Sequence, residues 1–544
     1  MMKRYKYKAG WGRFAALLFL ACIFFKACRK EDATNNGQGN TYAKFATAET
    51  TANGALDSIP VGIRWSQTKW KLSAAPGGFI TGFSRETGGG VEQQRILGEA
   101  FVRLQPNLTE ERRTQEIFIE DLTTGKEEKM VIVQSPYSGV NRFVLNPGIR
   151  YQKITGFGGM MNASWAGASQ LSVADIDKLY GPDGLGLNIG RLMLYPNPAD
   201  WSRELAIAKR AQQYGALLFA SPWTPPPSMK SANVNSNQNG EYLLPANYGA
   251  FAAHLKSYVD YYKDQGIPVY AVSVQNEPDY KVGYDGCSYT PQQMLDFVKG
   301  YGRAVGTRLM TAETVQFNKS YTDPLLNDPL AVNNFDIVAT HLYGFNFKTT
   351  SADYPLAKQH EKEVWVTEHL FNETAKGPDW LWEPSLRTTL AQEIHDCMAS
   401  NVNAYVYWYL KRYYSFMGED RDANNPADWY TAANGAITKR GYIIAHYAKY
   451  ATGRTRIAMT PSAVSPLLAT AYAGADDYTV VLTNQGDRPV IMELAIPQSM
   501  AAAAAVETNA INNMTPAALY ITKDKKNLRL QMSANSMVSV KMQL

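Results

Sequence analysis

Between Ile154 and Tyr409 the chain repeats one pattern eight times: a short apolar run, a polar break, and in most cases an amphipathic helical stretch. The runs are Ile154–Gly159, Leu185–Leu194, Ala216–Ser221, Val269–Gln275, Arg308–Ala312, Phe335–His341, Glu363–Glu368 and Asn403–Tyr409. Runs that do not alternate with polar residues read as strands buried on both faces, the signature of a parallel sheet. Helical stretches such as Tyr248–Lys263 and Leu386–Met398 separate them, and Thr290-Pro-Gln marks a helix start. Eight such strands in one stretch specify an α/β fold closed as a (β/α)8 TIM barrel. A doubly wound open sheet is the alternative, but no Gly-rich phosphate fingerprint follows the first strand.

Short β-rich runs lie on both sides of this stretch. Before it come Ile63-Arg-Trp65, Trp70-Lys-Leu72, Ala100–Leu104, Gln115–Ile119 and Met130–Val133, with turn signals at Gly88-Gly-Gly90 and Thr123-Thr-Gly125. Residues 58–137 therefore read as a small Ig-like β-sandwich. After it come Leu467–Tyr472, Tyr478–Leu482, Val490–Leu494, Leu519–Ile521, Leu528–Met532 and Ser536–Val540. Residues 456–544 thus form a β side domain, the barrel occupies 138–455, and residues 140–153 read as strands shared with that side domain.

The first 57 residues read as targeting rather than fold. Met1–Arg13 is a basic segment and Phe14–Phe25 an apolar run too short to span a bilayer. Residues 1–27 resemble a bacterial lipoprotein signal, which implies a lipid on Cys28 and a polar tether over 28–57. Cys22 behind Ala21 is a competing site, and an ordinary secretory signal is the alternative. The protein is expected to be exported, to touch a membrane only through that anchor, and to act as a monomer. The net charge of +5 owes six cations to the segment before Cys28, so the remainder carries about −1. That balance argues against nucleic acid. Aromatic residues make up 12% of the chain, and their rings suit the apolar faces of sugars. Cys287 and Cys397 read as free structural thiols, too few for a disulfide framework and without metal spacing.

Barrel enzymes place their chemistry at the C-terminal ends of the strands. Two carboxylates fall there: Glu277 in Gln275-Asn-Glu-Pro278 and Glu368 in Trp365-Val-Thr-Glu-His369. Each directly follows an apolar run, where burying a charge is costly without a partner or a function. A pair of structural carboxylates is the plain alternative. Cleavage of a glycosidic bond needs such a pair, one to protonate the leaving oxygen and one to attack C1 or activate water.

These motifs, with Gly156-Phe-Gly-Gly159, Phe219-Ala-Ser-Pro-Trp-Thr-Pro225 and Met229-Lys230, resemble glycoside hydrolase family 30 over about residues 140–544. The resemblance implies that Glu277 is the acid/base, that Glu368 is the nucleophile and that Asn276 binds the sugar 2-hydroxyl; no cofactor is expected, and no metal, because neither His341 nor His369 shares a ligand spacing with another His or carboxylate. Tyr407-Trp-Tyr-Leu-Lys-Arg-Tyr-Tyr414 is similar to the subfamily 8 glucuronoxylanases, in which an Arg-x-Tyr pair clamps the glucuronate branch of xylan. Arg412 and Tyr414 fall on that pair, and the implied partner is glucuronoxylan. Lys411 and Ser415 depart from the pattern, which has Arg and Gly there. An ion pair of Arg412 with Glu419 or Asp420 is the alternative reading. The module at 58–137, closing on Val131-Ile-Val-Gln134, resembles the BACON-type modules found before glycosidases.

Trp165, Trp223, Tyr343 and Trp408 follow or close strands and are expected to stack on sugars. Trp223 is the strongest of these, because its Pro-rich loop is stiff. His341, His369 and Arg191 are expected to support the two glutamates, with Arg191 holding Glu368 ionised. The competing functions are a non-catalytic glycan-binding lipoprotein and the same chemistry on a β-glucan or glucosyl lipid.

Overall fold

The computed structural model describes residues 41–54, 58–90, 96–161, 170–344, 353–371, 382–387, 389–419, 433–461 and 463–544. Eight parallel strands close into a barrel: β1 (Gly156–Met160), β2 (Ile189–Leu194), β3 (Leu217–Pro222), β4 (Val269–Ser273), β5 (Arg308–Thr314), β6 (Ile337–His341), β7 (Glu363–Glu368) and β8 (Ala404–Tyr407). Each falls within or across one of the eight apolar runs, and Gly156 opposite Ala404 begins the pairing that closes the ring. Ile189, Phe219, Ala271, Met310, Ile337, Trp365 and Ala404 come from seven different strands yet form one buried cluster. Side chains from so many strands can meet only inside the barrel, which is therefore packed solid. Phe219 and Trp365 meet edge to face there, with ring centroids 5.8 Å apart.

The helices pack around this ring. The one that starts at Pro291 has the expected cap: Thr290 Oγ1 accepts from the Gln293 amide at 3.2 Å, and Gln293 Oε1 accepts from the Thr290 amide at 2.7 Å. Tyr248–Asp264 buries Tyr248, Phe251, Leu255, Tyr258 and Tyr262, a three- and four-residue spacing that lays one apolar stripe on the barrel.

The side domain takes strands from both ends of the barrel. Asn141–Lys153 runs parallel to Val490–Ala495 and antiparallel to Thr455–Thr460, placing Phe143 opposite Leu494 and Leu145 opposite Met459. The eleven-stranded sheet carries one core, in which Ala505 from near one end joins Leu530 from near the other. Ala502–Thr508 is a strand that the sequence hides, because a run of alanines alternates neither in size nor in polarity.

The N-terminal module has two sheets. One orders Tyr42–Phe45, Ser58–Ser66, Ile96–Leu104 and Ile80–Phe83; the other orders Glu49–Ala52, Glu127–Gln134, Arg113–Asp121, Thr68–Ala74 and Thr87–Gly90. Two expectations change here. Residues 42–45 and 49–52, read as tether, are strands, with Phe45 opposite Ile63. Gly88–Gly90, read as a turn, is also strand; its glycines let the chain lie flat on Trp70, whose ring a Cβ on Gly88 would meet at 2.3 Å. The lipidation candidate Cys28, its competitor Cys22 and the signal lie outside the described residues. No helix among the described residues is long and apolar enough to cross a membrane.

Candidate active site

Glu277 stands four residues past β4 with φ at +47°, a left-handed conformation uncommon for a residue with a side chain. Its backbone is tied on both sides: the Glu277 amide donates to the Glu313 carbonyl at 3.0 Å, and the Asn276 amide to the Pro222 carbonyl at 2.9 Å. Local strain held by neighbours in this way aims the carboxylate over the barrel mouth. Glu368 ends β7, in register with His341 at the end of β6.

Arg191 on β2 is fully buried and organises the floor. One guanidinium nitrogen, Nη1, pairs with Glu368 Oε2; the other, Nη2, donates to Asn276 Oδ1 at 2.7 Å and Glu313 Oε1 at 3.1 Å; Nε donates to Ser221 Oγ at 3.2 Å. Arg191 therefore makes a direct ion pair with Glu368. Burial works against its charge, but Glu313 and Glu368 outweigh that and raise its pKa.

His341 donates from Nδ1 to Glu277 Oε1 at 3.1 Å. Its Nε2 lies 3.8 Å from Glu313 and 3.9 Å from Glu368, too far for hydrogen bonds but close enough for strong attraction. Burial alone would strip its second proton; Glu368, the Glu277 hydrogen bond and Glu313 instead lift its pKa to about 9. Glu313 is drawn down to about 2 against the effect of burial, chiefly by Arg191. Glu277 is pushed above the usual carboxylate range, first by burial and then by Glu368, with the His341 hydrogen bond and Arg191 pulling back.

His369 does not support either glutamate as expected. Its Nδ1 bonds Glu393 Oε1 at 2.8 Å, because Glu393 on the helix after β7 lies closer. The His369 ring meets Tyr343 edge to face at 5.1 Å, and Tyr343 donates to Glu368 Oε1 at 2.8 Å. Tyr343 thus holds Glu368 as well as lining the cleft. Trp223 is only 2% exposed, so its stiff loop does hide most of it: the Arg191 guanidinium lies 4.7 Å from the ring centroid and Trp408 packs at 5.8 Å. Trp408 is half-buried and, with the remaining edge of Trp223, lines the cleft. Trp165 lies outside the described residues.

The cleft has a volume of about 710 Å3, and both glutamates, Asn276 and Tyr343 reach it. Tyr280, Tyr284 and Tyr409 also line it, unanticipated because two lie on a loop without periodicity and the third follows β8 amid other tyrosines. Glu313 was missed too, although Thr311-Ala-Glu313 shows the same sign as the other glutamates, a carboxylate directly after an apolar run. Arg412 does not line the cleft itself but lies 5.8 Å from the ring of Tyr409, which does, and Tyr414 is buried against Tyr413. Lys411 faces the other way and pairs with buried Asp175 at 2.9 Å, so its departure from the family pattern leaves the cleft untouched. Glu419 accepts from the Tyr413 amide at 3.1 Å, and Asp420 is outside the described residues.

Oxygens of Glu277 and Glu368 and a ring nitrogen of His341 lie within 4.8 Å of one another. The fold thus brings together a spacing that would admit an ion, which separation along the chain concealed. Arg191 already holds Glu368 Oε2 and His341 already holds Glu277 Oε1, and both cationic groups would repel a metal.

The glycosyl hydrolase family 30 TIM-barrel domain matches residues 156–400. The glucuronoxylanase XynC of Bacillus subtilis (strain 168) is 35% identical over 353 residues, 64% of this chain and 78% of that protein. This chain belongs to glycoside hydrolase family 30. The family 30 subfamily 8 xylanase Xyn30A of Clostridium acetobutylicum superposes with a TM-score of 0.64 at 32% identity, covering 74% of this chain and all of that one. An endo-1,6-β-D-glucanase of Trichoderma harzianum, BGN16.3, is 26% identical over 37% of this chain and 45% of its own. The protein is a glycoside hydrolase built on a TIM barrel with separate β-rich domains.

Proposed function

We propose that this enzyme is a retaining endo-β-1,4-xylanase acting on glucuronoxylan, with Glu277 as acid/base and Glu368 as nucleophile. The observation that carries the mechanism is the approach of one Glu277 oxygen to one Glu368 oxygen within 4.8 Å. Retaining pairs stand about 5 to 5.5 Å apart, whereas inverting pairs need about 6.5 to 9.5 Å to admit the attacking water. Glu277, with its raised pKa, keeps a proton for the leaving oxygen. Glu368, held by Arg191 and Tyr343, attacks C1 and forms a glycosyl-enzyme ester. Glu277, now a carboxylate, takes a proton from water, which attacks C1 and releases Glu368. Asn276, oriented by Arg191, meets the 2-hydroxyl. The names of the relatives and the approach of Arg412 to Tyr409, a residue that lines the cleft, support xylan with acidic branches. Residues 1–27 would direct export and Cys28 would carry the lipid that tethers the mature chain.

Proton NMR of the first-formed product tests the mechanism: the β-anomer is expected, and an initial α-anomer would exclude Glu368 as a nucleophile. Arg412→Ala tests the substrate. Loss of a charge-assisted contact to glucuronate costs about 1.5 to 3 kcal/mol, roughly ten- to a hundredfold in kcat/KM on branched xylan. Unbranched xylo-oligosaccharides offer no carboxylate and should be cleaved almost as before. Equal losses on both would return Arg412 to a structural role.

A further inference from the structure

A second cavity, of about 420 Å3, opens on the same face of the barrel as the catalytic cleft. Three loops build it: Asn197, Asp200 and Arg203 follow β2, Pro227 and Asn235 follow β3, and Tyr284 and Asp285 follow β4. The half-exposed ring of Tyr284 lines this cavity and the cleft alike, so a chain lying in the cleft has a direct way into it. Its walls carry what binds sugars: an accessible aromatic ring, a flat proline, and amide and carboxylate groups matched to hydroxyls. The lining holds two carboxylates against one guanidinium, and Arg203 already pairs with Asp200 at 2.6 Å, so an anionic sugar is disfavoured. The walls are also pre-set. Lys230, 4% exposed, donates from Nζ to the carbonyls of Asn235 at 2.9 Å, Ser236 at 2.8 Å and Gly286 at 2.7 Å, locking the β3 and β4 loops together. A site fixed before binding loses little entropy on occupation.

We propose that this cavity is an accessory subsite for a neutral sugar unit of the polysaccharide held in the cleft, complementary to the acidic unit assigned to Arg412. This rests on the reading of the enzyme as a polysaccharide hydrolase and deepens it. The occupant is a backbone sugar beyond the cleft or a neutral branch, which share one chemistry.

Two variants of the full chain test it: Asp200→Trp, which fills the cavity from a partly exposed position, and Asp285→Ala, which removes a hydroxyl acceptor. Each should lower kcat/KM on the polymer, through KM, roughly tenfold more than on a short aryl glycoside confined to the cleft. Calorimetry on the Glu368→Gln protein separates the two sources. An affinity step with length in linear oligosaccharides, lost in Asp200→Trp, identifies a backbone sugar; a step seen only with arabinose-branched oligosaccharides identifies a branch. Equal losses on polymer and short substrate, or no loss on either with oligosaccharide affinity unchanged, would overturn the proposal. If the enzyme cleaves another neutral polymer and not xylan, the substrate assignment fails, and the same ratio read on that polymer still decides the cavity.

Discussion

Two regions of the barrel each bury one arginine and one histidine completely, with opposite results. At the mouth, Arg191 and His341 sit among Glu277, Glu313 and Glu368, and both are held in their charged forms. Against the side domain, the helix Lys439–Tyr450 buries Arg440 and His446, whose hydrogen-bond partners among the described residues are neutral. Arg440 donates to the carbonyls of Phe371 at 2.6 Å and Tyr414 at 2.7 Å and to Ser385 Oγ at 2.9 Å, and burial pushes its pKa down to about 9. His446 bonds the hydroxyls of Ser539 at 2.7 Å and Thr508 at 2.9 Å, and burial takes it down to about 3. Burial is the same, so the surrounding carboxylates make the difference. The mouth concentrates opposing charges that a scaffold would avoid, as a site that must move protons and stabilise a developing cation requires.

The largest effect expected is at the mouth. Glu277→Gln and Glu368→Gln keep the shape of the cluster and remove one charge or proton each. Loss of an acid/base typically costs about a hundred- to ten-thousandfold, and loss of a nucleophile at least as much. The two should differ in kind: Glu277→Gln should keep formation of the glycosyl-enzyme from aryl glycosides whose leaving groups need no proton, while Glu368→Gln should not. Near-normal turnover of xylan by either variant, with unchanged circular dichroism, would make the cluster as structural as the pair on the helix Lys439–Tyr450.

Glu313→Gln sharpens the comparison by moving the mouth one step toward the neutral region. Glu313 touches no substrate by this reading; it positions Arg191 and helps keep His341 protonated. Removing a charge that raises a pKa lowers it, so the alkaline limb of the kcat/KM profile should move to lower pH. A one-unit change corresponds to about 1.4 kcal/mol, or roughly tenfold in rate at pH values above the shifted limb. A uniform loss across all pH values would reduce Glu313 to packing.

How far this contrast was legible in the sequence follows from range. The barrel strands were legible because a strand buried on both faces is apolar throughout, as in Ile189–Leu194. Glu277 and Glu368 stood out because each ends such a run. Tyr42–Phe45 was concealed by the polar composition around it, although its side chains alternate in burial. The partner of His369 lies 24 residues away on a helix, and the Trp223 ring is covered by a residue from another strand, so neither contact could be read locally. Lys411 shows the converse, since its departure from a family pattern matters only if it faces the cleft, and the fold turns it toward Asp175.

The smallest effect expected concerns the neutral region and appears only as a slope. His446 has a folded pKa of about 3, below its ordinary value near 6.5, so between these pH values the unfolded chain takes up a proton that the folded chain refuses. Its contribution to stability is therefore complete above pH 6.5 and is lost on acidification, by up to about 1.4 kcal/mol per pH unit. His341 has the opposite sign: with a folded pKa of about 9, its contribution is complete below pH 6.5 and is lost as the pH rises toward 9. In His446→Gln an amide can still donate to one hydroxyl and accept from the other, but it cannot take up the proton. Denaturant melts at pH 7 and pH 5 should show the wild type losing about 2 kcal/mol more than the variant between the two, since every other titrating group is common to both. From pH 7 to 9 the two proteins should lose stability in parallel, because His341 is intact in each. If the variant loses as much as the wild type on acidification, His446 is not held neutral, and the contrast between the two buried pairs would rest on the arginines alone.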